Sequence, residues 1–416
     1  MKILILNQAF HPDVVSTAQH ASDLAIGLSE AGHQVTVICS RRGYDNPKMA
    51  FPARETWRNI KILRISSTTL GKGAKWRRAT DFASFILGCS LRLLFLPRVD
   101  AMISLTSPPL ISFVAALAVP LKARHLVLWL MDINPDEAIA AGWLREKSVP
   151  ARCLSRMLSY SLHRARRIVV LDRFMKDRVL AKEVSEEKIS VIPPWSHDDQ
   201  VRFNAAGRDE FRAACGLTGK FVVMYSGNHS PCHPLDTLMG AAERLSQRTA
   251  LNDIVFCFVG GGGEFRKVRE WAHSRQLHNV QCFPYQPLEK LSASLSAADL
   301  HVAVIGAPFV GIVHVCKIYN ILAVGKRFLY IGPKESHITD IMSATSSRAL
   351  GDSCRHGDVD GTTASIVAAY AENSGIDSRD LAEQFSKSAL LPRMIRLIEG
   401  LSAEPGNAVR SQLAAE

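Results

Sequence analysis

Short apolar runs alternate with longer amphipathic ones along almost the whole chain. "KILILNQ" reads as a strand, "TAQHASDLAIGLSEAG" has helical spacing and stops at Gly32, and "HQVTVICS" reads as a second strand. Strand, helix and strand in that order make a βαβ unit, the building block of parallel sheets. Further strands are predicted at "NIKILRI", "DAMISLT", "HLVLWLM", "RIVVLD" and "KISVIPP". After a polar stretch with Gly207 the alternation restarts. "KFVVMYSG", "DIVFCFVGGGG", "NVQCFPY", "DLHVAVIG" and "RFLYIGP" are separated by helix-like runs. The pattern predicts an α/β protein of two doubly wound Rossmann-like domains joined near Pro193–Trp195. Ligands in open parallel sheets sit beyond the carboxyl ends of the strands. Two such sheets facing each other are therefore expected to frame a cleft.

The expected boundaries are 1–197 for the first domain and 198–380 for the second. Residues 381–401, within "DLAEQFSKSALLPRMIRLIEGL", read as one C-terminal helix able to cross back to the first domain. The polar tail 402–416 reads as disordered.

The length of 416 residues supports this division, since one ordinary core rarely exceeds roughly 250–300 residues. Apolar residues make up 47% and charged residues 21%, the profile of a soluble globular chain. The net charge of +11 favours anionic partners: nucleic acid, anionic lipid or phosphorylated substrates. No basic run interleaved with aromatics is present, so nucleic acid is not expected. The nine cysteines include no CxxC pair and read as reduced thiols of a cytosolic protein. "MKILILNQAFHPD" lacks a small-residue cleavage site and reads as a first strand, not a signal peptide.

No apolar run approaches the ~20 residues of a membrane span. The segment 71–98 nevertheless sets Lys72, Lys75, Arg77 and Arg78 beside Trp76 and an apolar run from Phe82 to Leu91. That pattern suits either a helix lying on an anionic membrane surface or a buried helix with solvated charges.

Three loops carry candidate chemistry. "YSGNHSPCHPLDTL" (225–238) places His229, Cys232 and His233 within five residues. A metal site is disfavoured, because Pro231 and Pro234 break a helical His pair and no second ligand cluster accompanies it. A Cys–His nucleophile is disfavoured because adjacent residues rarely reach each other productively. A phosphate-binding turn needs only a strand, small residues such as Gly227, Asn228 and Ser230, and a following helix; a plain strand–helix turn fits too. The quartet Gly260, Gly261, Gly262 and Gly263 follows the next strand but is no GxGxxG, which disfavours a dinucleotide-dependent dehydrogenase. In "GAPFVGIVHVCKIYNILAVGK" a loop with Gly311 leads to a helix starting near Cys316, with Lys317 in its first turn. A lysine there opposes the helix dipole, a cost that a bound diphosphate offsets. Asp132, Asp136 and Glu137 follow the strand "HLVLWLM", and "DVD" (Asp358 to Asp360) reads as a polar turn.

The order of these motifs resembles the retaining glycosyltransferases of family 4, which have the GT-B fold. The resemblance rests on "NQAFHPDVVSTAQHASDLAIGLSEAGHQVTVICS", the "GN" turn, "VGGGGE", "NVQCFPYQPLEKLSASLSAADLHV" and "CKIYNILAVGKRFLYIGP". "GNHSPCHPLDTL" and "DINPDEA" are similar to the WbuB-like branch that builds bacterial surface polysaccharide and O-antigen. This implies transfer of a sugar from a UDP- or GDP-sugar to a saccharide acceptor on a polyprenyl diphosphate, without cofactor or metal, by a cytoplasmic protein on the inner membrane face. It implies catalytic roles for Asp132, His233 and Lys317. Donor contacts are implied for Gly227, Asn228, His229, Gly260, Gly261, Gly262, Gly311, Tyr319 and Asn320. Ser16, Thr17, Asp136, Glu137 and Trp195 are implied on the acceptor side. The chain departs from the family at the two donor-loop glutamates, where Ile312 and Asn320 stand, and in the turn after Asn228, which lacks the usual Arg and Lys. A sugar-nucleotide epimerase of the same fold and an inactive nucleotide-sugar-binding homologue are the competing readings.

Overall fold

The computed structural model describes residues 1–44, 48–70, 75–197, 201–344, 350–372 and 378–403. The tail from 404 on and Lys72 lie outside the described residues.

The first unit opens with β1 (Lys2–Leu6), α1 (Ser16–Glu30), β2 (Gln34–Ser40), β3 (Arg54–Trp57) and β4 (Ile60–Ile65). It continues with α2 (Lys75–Leu94), β5 (Val99–Ser104), α3 (Ile111–Lys122), β6 (Ala123–Trp129), α4 (Asp136–Ala140) and α5 (Val149–Arg164). β7 (Arg167–Val170), α6 (Arg173–Leu180) and β8 (Ile189–Val191) complete its sheet. The strand order is β3-β4-β2-β1-β5-β6-β7-β8, parallel throughout except for β3. Central strands are buried on both faces, so they read as unbroken apolar runs; Ile3, Leu4, Ile5 and Leu6 are each at most 1% exposed. β3, "RETW", escapes the sequence pattern because it is a polar edge strand, antiparallel to β4.

The second unit contains α7 (Ala205–Ala214), β9 (Phe221–Asn228), α8 (Asp236–Ser246), β10 (Ile254–Gly261), α9 (Phe265–Ser274), β11 (Val280–Phe283) and α10 (Leu288–Ser296). Then come β12 (Leu300–Val304), α11 (Lys317–Ala323), β13 (Arg327–Ile331), α12 (His337–Ser343), β14 (Gly351–Cys354) and α13 (Val359–Glu372). Its sheet is parallel in the order β11-β10-β9-β12-β13-β14. The order reverses at β9 and β12, so the loops after these two strands flank the switch point where ligands of doubly wound sheets bind. β14, "GDSC", is another polar edge strand that the pattern does not reveal.

Two differences from the sequence expectations have plain causes. The single C-terminal helix is two, α14 (Arg379–Gln384) and α15 (Lys387–Ala403). The break falls at Phe385, whose ring packs on Tyr319 and whose carbonyl accepts the Ser196 N–H at 2.7 Å. Asp358–Asp360 starts α13 instead of forming a free turn: Asp358 accepts the Gly361 N–H at 2.8 Å, and Asp360 pairs with Arg244.

By compactness, unit one comprises 1–171, 176–193 and the described residues from Ser388 on; unit two comprises 172–175 and 194–387. α15 thus packs with the first unit. Gly27 of α1 lies under it, where a Cβ would come within 2.9 Å of Ile395 Cδ1, and His33 meets Glu399 at 3.0 Å. Among the described residues no helix is long and apolar enough to cross a membrane.

Candidate functional site

The second unit builds an anion-ready turn from β9, β10 and α11. β9 and β10 run parallel through Gly260↔Gly227 and Gly261↔Asn228, beyond the point where apolar side chains stop. At Gly260 (φ 135) a Cβ would lie 2.1 Å from the Gly227 carbonyl oxygen. At Gly262 (φ 116) it would lie 2.4 Å from the His229 carbonyl oxygen. Both positions need glycine for this close approach. The His229 N–H donates to Gly261 O at 2.7 Å and the Glu264 N–H donates to His229 O at 3.0 Å. Gly260 and Gly262 therefore fit the turn 227–229 against β10, and Gly261 packs against the Tyr285 ring.

Lys317 is the first residue of α11, as its position after Gly311 predicted. Its ammonium lies 3.6 Å from the centre of the Tyr225 ring and 3.1 Å from where a Cβ on Gly227 would stand. It is buried and has no hydrogen-bond partner among the described residues. Burial lowers its pKa to about 7. The quadrupole of Tyr225 compensates part of the desolvation, but three N–H donors remain uncommitted. A buried unpaired cation is costly unless a ligand completes it.

The histidines beside it are neutral at pH 7. Burial, then the Lys317 charge, lowers His229 to about 4 and His233 to about 3. His229 Nδ1 donates to Gly227 O at 3.0 Å, leaving buried Nε2 as an unpartnered acceptor suited to a hydroxyl. His233 Nδ1 donates to Val304 O at 2.7 Å. Cys232 is buried with its carbonyl holding the Gly306 N–H, so the turn is fixed to the end of β12. Asn320, three residues after Lys317, shares its face of α11.

Tyr319 faces elsewhere. Its hydroxyl meets His314 Nε2 at 2.7 Å, and His314 Nδ1 donates to Asp172 at 2.7 Å. His337 stacks on His314 at 3.9 Å between ring centres. Burial works against the Asp172 charge, but the His314 hydrogen bond, the charges of His314 and His337 and the Met175 N–H together outweigh it and hold the carboxyl at about 2. Asp172, His314 and His337 have metal-like spacing. Yet the Val315 N–H donates to His337 Nε2, which leaves the ring proton on Nδ1, the atom facing Asp172. Asp172 and His314 are thus joined by a hydrogen bond, while His337 stacks on His314 with Nδ1 3.7 Å from Asp172, and a metal would have to displace the His337 proton.

In the first unit a second cluster gathers at the ends of β5 and β6. Asn134 Nδ2 donates to Asp132 and to Glu137, both at 3.1 Å. Burial, then the Glu137 charge, raises Asp132 to about 7, against the hydrogen bond from Asn134. Asp136 is instead bound to Lys182 at 2.9 Å. Ser16, exposed, and Thr17, half-buried, start α1 after β1. Trp195 belongs to the second unit and is only 1% exposed.

The sequence analysis did not single out Tyr225, Asn134, Asp172, His314 or His337. Tyr225, Asn134 and His314 stood in the quoted stretches without a role assigned to them; Asp172 and His337 become visible through contacts distant in sequence.

Comparison with known proteins gives consistent matches. Residues 17–195 match a glycosyl transferase 4-like domain, and residues 207–309 match the glycosyl transferases group 1 domain. The chain is 25% identical over 345 residues to the protein named as colanic acid biosynthesis glycosyl transferase WcaI of Escherichia coli (strain K12), covering 78% of this chain and 82% of that one. Its fold is similar to sucrose-phosphate synthase from Thermosynechococcus elongatus (TM-score 0.73, 14% identity, 97% of this chain and 100% of that one). It is also similar to Anabaena HepE, solved in complex with UDP-glucose (TM-score 0.72, 14% identity, 96% and 100%). These are GT-B structures.

Proposed function

We propose that this chain, which matches a glycosyl transferase 4-like domain and a glycosyl transferases group 1 domain, is a glycosyltransferase that moves a sugar, with retention, from a nucleoside-diphosphate sugar to a lipid-linked saccharide in surface-polysaccharide assembly. The observation that carries the donor half is Lys317: a buried, unpartnered ammonium at a helix start, beside a glycine turn. A diphosphate supplies the charge it lacks and meets the N–H groups of α11. The colanic acid relative and the UDP-glucose complex of HepE support a polysaccharide product and a UDP-sugar donor.

In this proposal the acceptor oxygen bonds to the anomeric carbon as the bond to the β-phosphate oxygen breaks. The nucleoside diphosphate leaves with the electron pair, and Lys317 stabilises the growing negative charge. The uncommitted Nε2 of His229 accepts from a sugar hydroxyl, and Asn320 from the ribose side. In the first unit the pKa of Asp132, buried beside the Glu137 charge, is held near neutral pH, with Asn134 Nδ2 donating to both carboxylates. Ionised Asp132 takes the proton that the acceptor hydroxyl loses as its oxygen bonds to the anomeric carbon. The lipid-linked acceptor places the protein on the cytoplasmic face of an anionic membrane, as in the WbuB-like branch.

The competing epimerase and inactive-homologue readings are tested by the same assay. Purified protein is incubated with UDP- and GDP-sugars and a saccharide acceptor, and products are separated. Sugar transfer with released nucleoside diphosphate supports the proposal; epimer formed without acceptor, or no turnover with any donor, overturns it.

A further inference from the structure

Apolar side chains left in water concentrate on two neighbouring helices of the first unit. α2 is anchored by Phe85, Cys89 and Leu93, each at most 2% exposed. On another face Leu87, Leu91 and Leu94 follow at helical spacing and are all exposed, and Phe95 is 82% exposed. On α3, Leu117 and Leu121 (72%) repeat the pattern four residues apart. α2 and α3 pack on each other. Lys122 Nζ binds the carbonyl oxygens of Leu94 and Leu96 at 2.7 and 3.0 Å, which fixes the ends of the two helices side by side. The two leucine stripes therefore form one surface, of the kind monomeric proteins rarely expose.

The surroundings of this surface are basic. Arg92, Arg98 and Arg124 lie at its helix ends, and the exposed Arg77 and Arg78 stand over Trp76 and Phe82. The nearby carboxylates are engaged: Asp81 binds Thr68 and the Leu70 N–H, while Asp100 accepts the Lys2 N–H. A cavity of about 420 Å³ shares Leu91, Arg92 and Phe95 with the surface and adds Leu63, Ile65 and Arg54. Three arginines line it, Arg54, Arg64 and Arg92, of which Arg64 is paired with Glu55; apolar walls beside Arg54 and Arg92 suit a lipid tail under a phosphate.

We propose that the α2–α3 surface docks the protein on an anionic lipid bilayer. Leu87, Leu94, Phe95, Leu117 and Leu121 enter the boundary between headgroups and acyl chains, and the arginines meet lipid phosphates. Charge complementarity and side-chain type select a bilayer over a protein. Protein interfaces use aromatic and polar anchors that set orientation, whereas this face offers mainly leucine inside an arginine rim, the composition of an interfacial helix. The inference rests on the lipid-linked acceptor reading and moves the membrane contact from the basic start of α2 to its leucine-rich end.

The test is co-sedimentation of the full chain with phosphatidylcholine vesicles, with and without phosphatidylglycerol, at low and high salt. Wild type is expected to bind the anionic vesicles and to release at high salt. Leu94→Gln, Phe95→Gln and Leu121→Gln together should weaken binding at least about tenfold. Arg92→Gln, Arg98→Gln and Arg124→Gln together should remove the preference for anionic vesicles. UDP binding should be unchanged in both, showing an intact fold. A wild type that does not sediment, an apolar triple variant that binds like wild type, or a wild-type dimer that this variant splits overturns the proposal. Vesicle binding without sugar transfer would fail the acceptor reading alone, and transfer with an unaltered triple variant would fail the docking alone.

Discussion

The donor turn of the second unit and the carboxylate loop of the first store opposite things. Around Lys317 the fold buries a positive charge and leaves it unpaired. Around Asp132 it buries a carboxyl group beside the Glu137 charge, which raises its pKa to about 7, so that a proton is held near neutral pH. Asp136, one residue from Glu137, shows the alternative, because Lys182 neutralises it. The difference teaches which groups the fold has finished and which it has left for substrate. A charge with a protein partner is structural; one kept without a partner at a stability cost is a site.

The largest expected effect breaks the carboxylate side alone. Asp132→Asn should lower the transfer rate by about 10²- to 10⁴-fold while leaving UDP affinity unchanged in a binding titration. Wild-type transfer should rise with pH through about 7, as Asp132 loses its proton, and Asp132→Asn should flatten that limb. Equal loss of UDP binding would erase the distinction between the two regions.

The donor side comes next. Lys317→Met should weaken UDP binding by tenfold or more, about 1.4 kcal/mol. Because the lysine is desolvated without a partner, the same change should raise the melting temperature of the ligand-free protein by about a few degrees. A variant that both melts earlier and binds less would point to an ordinary structural lysine.

The carboxylate has its own stability signature. Its folded pKa, about 7, lies above the unfolded value. Between the two, the unfolded state binds fewer protons, so this group's contribution to stability falls as pH rises from about 4 to 7. Asp132→Asn should therefore melt higher than wild type at pH 8 and close to it at pH 4. No such difference would mean that Asp132 is not strained.

Chelation should have the smallest effect. Transfer in excess EDTA should match the untreated rate, since Lys317 supplies positive charge and Asp358 and Asp360 are used by a helix start and Arg244. Loss of activity with EDTA and recovery with manganese would assign the charge to a metal instead.

Legibility in the sequence follows the same division. The central strands announce themselves as four- to eight-residue apolar runs because helices cover both faces of their sheets. β3 and β14 do not, because edge strands carry polar residues. Lys317 was readable from local grammar, a glycine loop followed by a helix start. Its burial over Tyr225 was not, since that contact joins residues 92 positions apart (317 − 225). Nor was the net of Asp172, His314 and Tyr319, which reaches across 142 positions. For the glycine quartet the sequence showed that backbone must come close, and the structure identifies it at Gly260 and Gly262 as the neighbouring turn.

The central claim is that Lys317 waits, partly deprotonated, for a diphosphate. Calorimetric titration of UDP at pH 8, repeated in two buffers of different ionisation enthalpy, measures it directly. With a free pKa of about 7, the lysine is mostly neutral at pH 8 and must take up a proton when the anion binds. The heats should therefore differ between buffers by close to one proton per UDP in wild type, and the difference should vanish in Lys317→Met. Buffer-independent heats in wild type, or a proton uptake that survives in Lys317→Met, would contradict the account.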